Sequence, residues 1–311
     1  MFFRKTLSIA GILLTLAGVF AGWVGVSLAL AIGLILALTL GNPWPAQSGK
    51  WAGWLLKTAV VGLGFGLPLD VVLGTAFDSL LLTIATIAGA LLFGRWLATL
   101  FAIDRTLGQL LAAGTAICGG SAIAALAPVL KARGEHIAIS LAVVFLLNGL
   151  ALWLFPVLGH WLGLSDQQFG LWAALAIHDT SSVVGAATAF SEEALPVATT
   201  AKLARAVWIV PLVLLFSWRQ RGEGEAITIP MFIALFLLAS LARTLVPALA
   251  EFAPLLTTIA KQLFAVSLLL IGYGLTIPVL RQIDWRSLAM AVTLWLLLAS
   301  ASLFALINGW Y

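Results

Sequence analysis

Residues 80–93 read LLLTIATIAGALLF, a run with no charged side chain and none of the apolar–polar alternation that a lipid-facing barrel strand requires. Backbone in lipid must satisfy its own hydrogen bonds, so a run of this kind forms a helix in a membrane. Similar runs recur from end to end of the 311 residues. The chain is 62% hydrophobic and only 9% charged, against about 25% charged in a soluble domain. The sequence therefore specifies an all-α polytopic membrane protein.

Working outward, apolar spans fall near 51–73, 78–101, 107–130, 137–158, 169–190, 200–217, 229–249, 256–280 and 287–308, divided by turn signals such as GNPWPAQSG (41–49) and RQRGEGE (219–225). Residues 6–40 would make a helix of about 50 Å, too long for a hydrocarbon core of about 30 Å. They read instead as two short helices joined near Gly22 and Gly25, which brings the expected count to about eleven, ten plus an N-terminal extra. The start, MFFRKTLSIAGILLTLAGVFAG, has the look of a signal peptide; a second apolar run follows at once, so it reads as a retained helix. The expected organisation is a single transmembrane domain over 1–311, with an N-terminal hairpin at 6–41, a first half at 51–158 and a second at 169–308.

Loop charges set the orientation. With the N-terminus cytoplasmic, Arg4, Lys5, Lys50, Arg95, Arg105, Arg219, Arg221, Arg281 and Arg286 collect inside, while Asp70, Asp78, Glu192, Glu193 and Glu251 fall outside. This predicts a multi-pass protein of the inner (plasma) membrane, N-terminus in and C-terminus out. Lys131 and Arg133 dissent from that rule, which an interruption in the span before them would accommodate. The net charge of +4 is scattered over short loops and suits orientation rather than nucleic acid. No phosphate-binding loop is present, so any transport by this chain would have to run on gradients rather than on ATP hydrolysis. A single cysteine, Cys118, excludes an internal disulfide, and the three histidines have no metal-ligand spacing. Tryptophans near helix ends, such as Trp44, Trp161, Trp285 and Trp310, read as interfacial anchors.

An internal echo is visible. Gly64, Phe65, Gly66 and Leu67 match Gly272, Tyr273, Gly274 and Leu275, in spans that the count sends in opposite directions, as an inverted repeat does.

Three segments place polar groups where each costs about 2.5–3.5 kcal/mol to insert. The first is AIHDTSSVVGAA (176–187), in which His178, Asp179, Thr180, Ser181 and Ser182 fit a broken helix lining a wet site, or else a packed hydrogen-bonded cluster. The second is GTAICGGSAIAALAP (114–128). Here Gly119, Gly120 and Ser121 suit either tight helix packing or a second interruption whose N–H groups bind an anion. The third is AKLARAVW (201–208). Lys202 and Arg205 share a helix face; Lys202 can snorkel outward, and Arg205, unless paired with Asp179 or Glu193, seeks an oxyanion.

The ordered motifs GTAICGGSAIAALAPVLKA, IHDTSSVVGAA, KLARAVWIVPL, ITIPMFIALF and GYGLTIPVL resemble those of the sulfate-exporter family of YeiH-like conserved membrane proteins, over nearly the whole chain. That family is similar in architecture to the bile-acid/sodium symporter superfamily. The resemblance implies two inverted repeats, a panel and a core subdomain, and interrupted helices that cross. The chain departs from the family pattern HEVAQV in having Asp179 for the Glu and Ser182 for the Gln.

The expectation is a secondary transporter, not an enzyme, that moves sulfate or a related sulfur oxyanion by alternating access. Arg205, Lys202, Gly119, Gly120 and Ser121 bind substrate; His178, Asp179, Thr180, Ser181 and Ser182 bind the coupling H+ or Na+. No other cofactor is expected. Its partners are the small anion, the bilayer and, optionally, a second copy of the chain in a homodimer. Sodium-coupled uptake of an organic anion is the alternative, since DTSS offers oxygen ligands. An intramembrane enzyme using His178 and Asp179, or a passive channel, ranks lower.

Overall fold

In a computed structural model the described residues are 2–220, 231–281 and 283–310, so Arg221 and the rest of the turn at 221–225 lie outside them. Among the described residues the regular elements are all helices. In chain order they are α1 (Phe2–Phe20), α2 (Val26–Thr39), α3 (Pro45–Gly64), α4 (Leu69–Asp78), α5 (Leu80–Leu100), α6 (Arg105–Ala116), α7 (Gly120–Val129) and α8 (Gly134–Trp161). Then follow α9 (Asp166–Ala176), α10 (Thr180–Phe190), α11 (Ala194–Val207), α12 (Ile209–Gln220), α13 (Met231–Leu245), α14 (Leu249–Gly274), α15 (Ile277–Leu280) and α16 (Trp285–Ile307). The chain is thus an all-α membrane protein, and the N-terminal run is a pair of short helices divided at Gly22, whose φ is +77°.

The helices are not eleven plain rods. Five stretches are long and apolar enough to cross a bilayer: Leu80–Leu100, Gly134–Trp161, Ala194–Trp218, Leu249–Gly274 and Trp285–Ile307. A sixth forms if α3 and α4, bent by 108° at their junction, count as one span. The expected spans at 107–130 and 169–190 are each two half-helices, α6 with α7 and α9 with α10. Apolar periodicity does not register such a break, because both halves keep the same hydrophobic character.

Two compact units divide the chain, and neither follows the order of the sequence halves. Unit 1 takes residues 1–74 and 230–280; unit 2 takes 75–229 and 281–311. In unit 1, α14 packs along α3 with Gly62 against Ala260, and Ser267 donates to the Ala52 carbonyl at 2.8 Å, a register that makes the two helices antiparallel. These are the helices that carry the echo. Each ends within it, α3 at Gly64 and α14 at Gly274, and each is followed by a short helix. On the other side of α14, a Cβ added at Gly33 of α2 would stand 2.1 Å from the Leu269 carbonyl oxygen. That backbone-to-backbone contact admits only glycine.

Unit 2 holds both interrupted helices, packed with α5, α8, α11, α12 and α16. The interruptions correspond in sequence: Ala116-Ile117 and Ser121 recur as Ala176-Ile177 and Ser181, a shift of 60 positions (Ala116 to Ala176), and the helix boundaries recur with them. Between these shared residues the first break has Cys118-Gly119-Gly120 and the second His178-Asp179-Thr180.

The last helix shows how loop acids set boundaries. Asp284 caps α16, accepting from the N–H groups of Arg286 at 3.0 Å and Ser287 at 2.9 Å and from the Ser287 hydroxyl at 2.6 Å. Partial burial pushes this carboxyl upward, but the donors from Ser287 and Arg286 outweigh it and hold the group below its ordinary 3.8. Asp284→Ala is expected to cost about 1 kcal/mol of stability. A carboxyl lowered on folding stabilises fully above its unfolded value and loses that contribution as pH falls through the folded one. Thermal unfolding in detergent should therefore separate the two proteins at neutral pH and bring them together in acid.

Candidate functional site

Both breaks of unit 2 come together at one buried hub. At the second, Ile177 leaves the helix with ψ 131° and Asp179 becomes the N-cap of α10 with ψ 145°. The Asp179 carboxylate takes the Ser181 N–H at 3.1 Å and the Ser181 hydroxyl as well. Asn148 of α8 supplies a further acceptor. Its Oδ1 receives the N–H groups of both His178 and Asp179, each at 3.2 Å.

At the first break Gly119 has φ +63° and ψ −117°, a conformation that L side chains strongly disfavour. A Cβ there would stand 3.0 Å from Val144 and 3.5 Å from the Cβ of His178, so the two interruptions touch. A side-chain bond also joins them, His178 Nε2 lying 3.1 Å from Thr115 Oγ1.

A broken helix leaves its last carbonyls without intrahelical donors, and the C-terminal end carries a partial negative charge. Here those carbonyls are met from α11 and α16. The Lys202 ammonium donates to Ala174 at 3.2 Å and Ile177 at 2.7 Å. Trp295 Nε1 donates to Ala176 at 2.9 Å. Arg205 reaches both half-helices: Nη1 to Leu175 of α9 at 2.9 Å, Nε to Ala116 of α6 at 2.6 Å, and Nη2 to Thr115 over a longer 3.5 Å. The guanidinium fork is thus the joint between the two stopped helices.

The sequence-predicted residues are therefore largely gathered. His178, Lys202 and Arg205 are buried, as are Gly119, Thr180, Ser181 and Ser182; Asp179 and Gly120 are half-buried and Ser121 is exposed. Two of the alternatives the sequence left open fall away. Lys202 does not snorkel to a surface, being fully buried. Arg205 is not paired with Asp179 or Glu193, and neither cation forms an ion pair among the described residues. The donors of these buried cations meet backbone carbonyl oxygens, which satisfy their hydrogen bonds but carry no formal charge to balance theirs. No group of three or more His, Cys, Asp and Glu gathers to hold a metal among the described residues.

Three contributors escaped the sequence reading. Asn148 is the single amide in the apolar run of α8, Thr115 is the last residue but one of α6, and Trp295 is a buried tryptophan in the middle of the last span. For Asn148 a signal existed: an amide in the middle of a long span is costly unless it has work there.

Relatives cover almost the same stretch. A UPF0324 membrane protein of Geobacter sulfurreducens is 48% identical over 93% of this chain and 93% of its own. A UPF0324 membrane protein of Bacteroides thetaiotaomicron is 42% identical over 91% and 86%, and one of Vibrio vulnificus 43% over 90% and 92%. No solved structure matches. The family model described as conserved hypothetical protein 698 matches residues 2–291, and with these relatives it places the chain in that family of conserved membrane proteins.

Proposed function

We propose that the chain is a secondary transporter of a small inorganic oxyanion, sulfate or a related sulfur compound, working by alternating access. The observation that carries this reading is the electrostatics of the hub. Lys202 and Arg205 neutralise the negative C-terminal ends of α6 and α9. The restarting helices α7 and α10 present positive N-terminal ends, which favour anions. Asp179 occupies the α10 end with its own carboxylate, whereas the N-cap of α7 is Gly119, which has no side chain to cap it. The start of α7, at Gly120 and half-opened by exposed Ser121, is then where an anion would approach the hub, beside His178. The likeness of the motifs to the sulfate-exporter family supports the same reading.

Counterflow in proteoliposomes tests it, with labelled sulfate, sulfite and thiosulfate and with pH and sodium gradients varied independently. Protein-dependent, saturable exchange of at least one of these anions is expected; none across the panel would reject the reading. Gly119→Ala is expected to slow that exchange by about tenfold or more, because the backbone strain is on the order of 1–3 kcal/mol and the methyl presses on Val144.

A second reading is sodium coupling, with Asp179 and the hydroxyls of Thr180, Ser181 and Ser182 as hard oxygen ligands. Asp179 is half-buried rather than sealed, which favours access by an ion. Exchange that needs sodium and ignores a pH gradient selects it.

A further inference from the structure

Two polar atoms at the contact of His178 with Asn148 have no partner among the described residues, and their chemistry points to a narrower ligand class. Thr115 Oγ1 gives its proton to the Leu111 carbonyl at 2.9 Å, so in its 3.1 Å contact with His178 it can only accept. Nε2 of His178 is therefore the donor and carries the ring proton. In the neutral imidazole this leaves Nδ1 as a bare acceptor. It is buried with no hydrogen-bond partner, on a residue 1% exposed.

Asn148 supplies the complement. Its Oδ1 is spent on the N–H groups of His178 and Asp179, while its Nδ2 is buried and unpartnered on a residue 3% exposed. Both side chains belong to the same contact, since Asn148 holds the backbone of His178. One offers two N–H donors and the other a lone pair. Native interiors leave few such groups unmet, and a buried donor and a buried acceptor on two residues in contact, not bonded to each other, suit a bound molecule with both functions.

A fully deprotonated oxyanion such as sulfate has acceptors only, so it satisfies Asn148 and leaves His178 Nδ1 unpaired. An oxyanion that keeps one proton satisfies both: its O–H donates to Nδ1 and another oxygen accepts from Nδ2. The neighbouring Lys202 and Arg205 are two cations against the single carboxylate of Asp179 at this contact, a balance that favours an anion over a neutral molecule. We infer that the hub selects a singly protonated oxyanion of the hydrogensulfite or hydrogencarbonate type, held between His178 Nδ1 and Asn148 Nδ2. This deepens the oxyanion-transport reading and rests on it. Selectivity of this kind is large where a buried group is built to meet a particular hydroxyl, because an analogue without the hydroxyl leaves that group unpaired.

The experiment compares four anions on the full chain in proteoliposomes. Hydrogensulfite and hydrogencarbonate carry the proton; methanesulfonate has the same charge without it, and sulfate has neither. Uptake of the first two should exceed that of methanesulfonate at least tenfold, and sulfite uptake should rise as pH falls and the protonated form gains. Thr115→Val, which removes the acceptor that fixes the ring proton on Nε2, should narrow the preference for hydrogensulfite over methanesulfonate while the protein stays folded. Equal uptake of methanesulfonate, or sulfate moving as fast as hydrogensulfite, overturns the selectivity and leaves oxyanion transport standing. Uptake of none of the four, together with failure of the counterflow panel, overturns transport itself. Should Thr115→Val not fold, the four-anion ranking on the unsubstituted chain decides alone.

Discussion

Arg205→Ala should unfold the hub more severely than any other single change. The substitution strips donors from the carbonyls of Ala116 and Leu175 and from the longer contact to Thr115, all in the interior. Each buried acceptor left unmet costs about 1–3 kcal/mol. With partial relaxation the loss is on the order of 4 kcal/mol, large against the roughly 5–15 kcal/mol that holds a typical domain folded. Arg205→Lys should fall between, since an ammonium keeps the charge but lacks the planar fork that spans two helix ends. Unfolding of the detergent-solubilised protein, followed by heat or by proteolysis, reads both. An alanine variant within about 1 kcal/mol of the unsubstituted chain would mean that the carbonyls find other donors, and the joint assigned to Arg205 would have to be given up.

Asn148→Leu is the second large effect. Leucine is close in volume but has no acceptor, so the N–H groups of His178 and Asp179 lose their partner where α10 restarts. A loss of about 2–3 kcal/mol is expected, with anion exchange abolished. Asn148→Asp separates the two consequences. A carboxylate still accepts from both N–H groups, so stability should recover in part, but it adds a negative charge and removes the Nδ2 donor, so exchange should stay absent. Melting and counterflow measured side by side check this. Exchange retained by the aspartate variant would remove Asn148 from the anion's path.

The fold class, the hairpin near Gly22 and the two weak points at Gly119 and His178 were all legible in the chain, because each is a local matter of hydrophobic run, glycine or consecutive polar groups. The partners of Lys202 and Arg205 were not. Their shared face followed from spacing, but the groups they meet are backbone carbonyls, which every residue possesses and which become acceptors only once a helix stops. Such a target leaves no mark in residue type. Trp172 and Trp295 illustrate the same limit: both read as ordinary aromatic residues of a membrane chain, yet each is 3% exposed and donates its ring N–H to a carbonyl of a neighbouring helix. Nor does the division into units follow chain order, since residues 230–280 return to pack with the first 74. That return depends on contacts such as Gly33 against Leu269, far apart in sequence.

The carbonyls of residues 174 to 177 are each held by a side chain from α11 or α16, and one of those side chains also grips α6. Sliding α11 past α9 would strip three of those bonds at once among buried side chains, and sliding α16 past α9 would strip the Trp295 bond. Any rearrangement within unit 2 that keeps these bonds must therefore carry α6, α9, α11 and α16 together as one block. The bending of such a change is then taken up at the edges of that block.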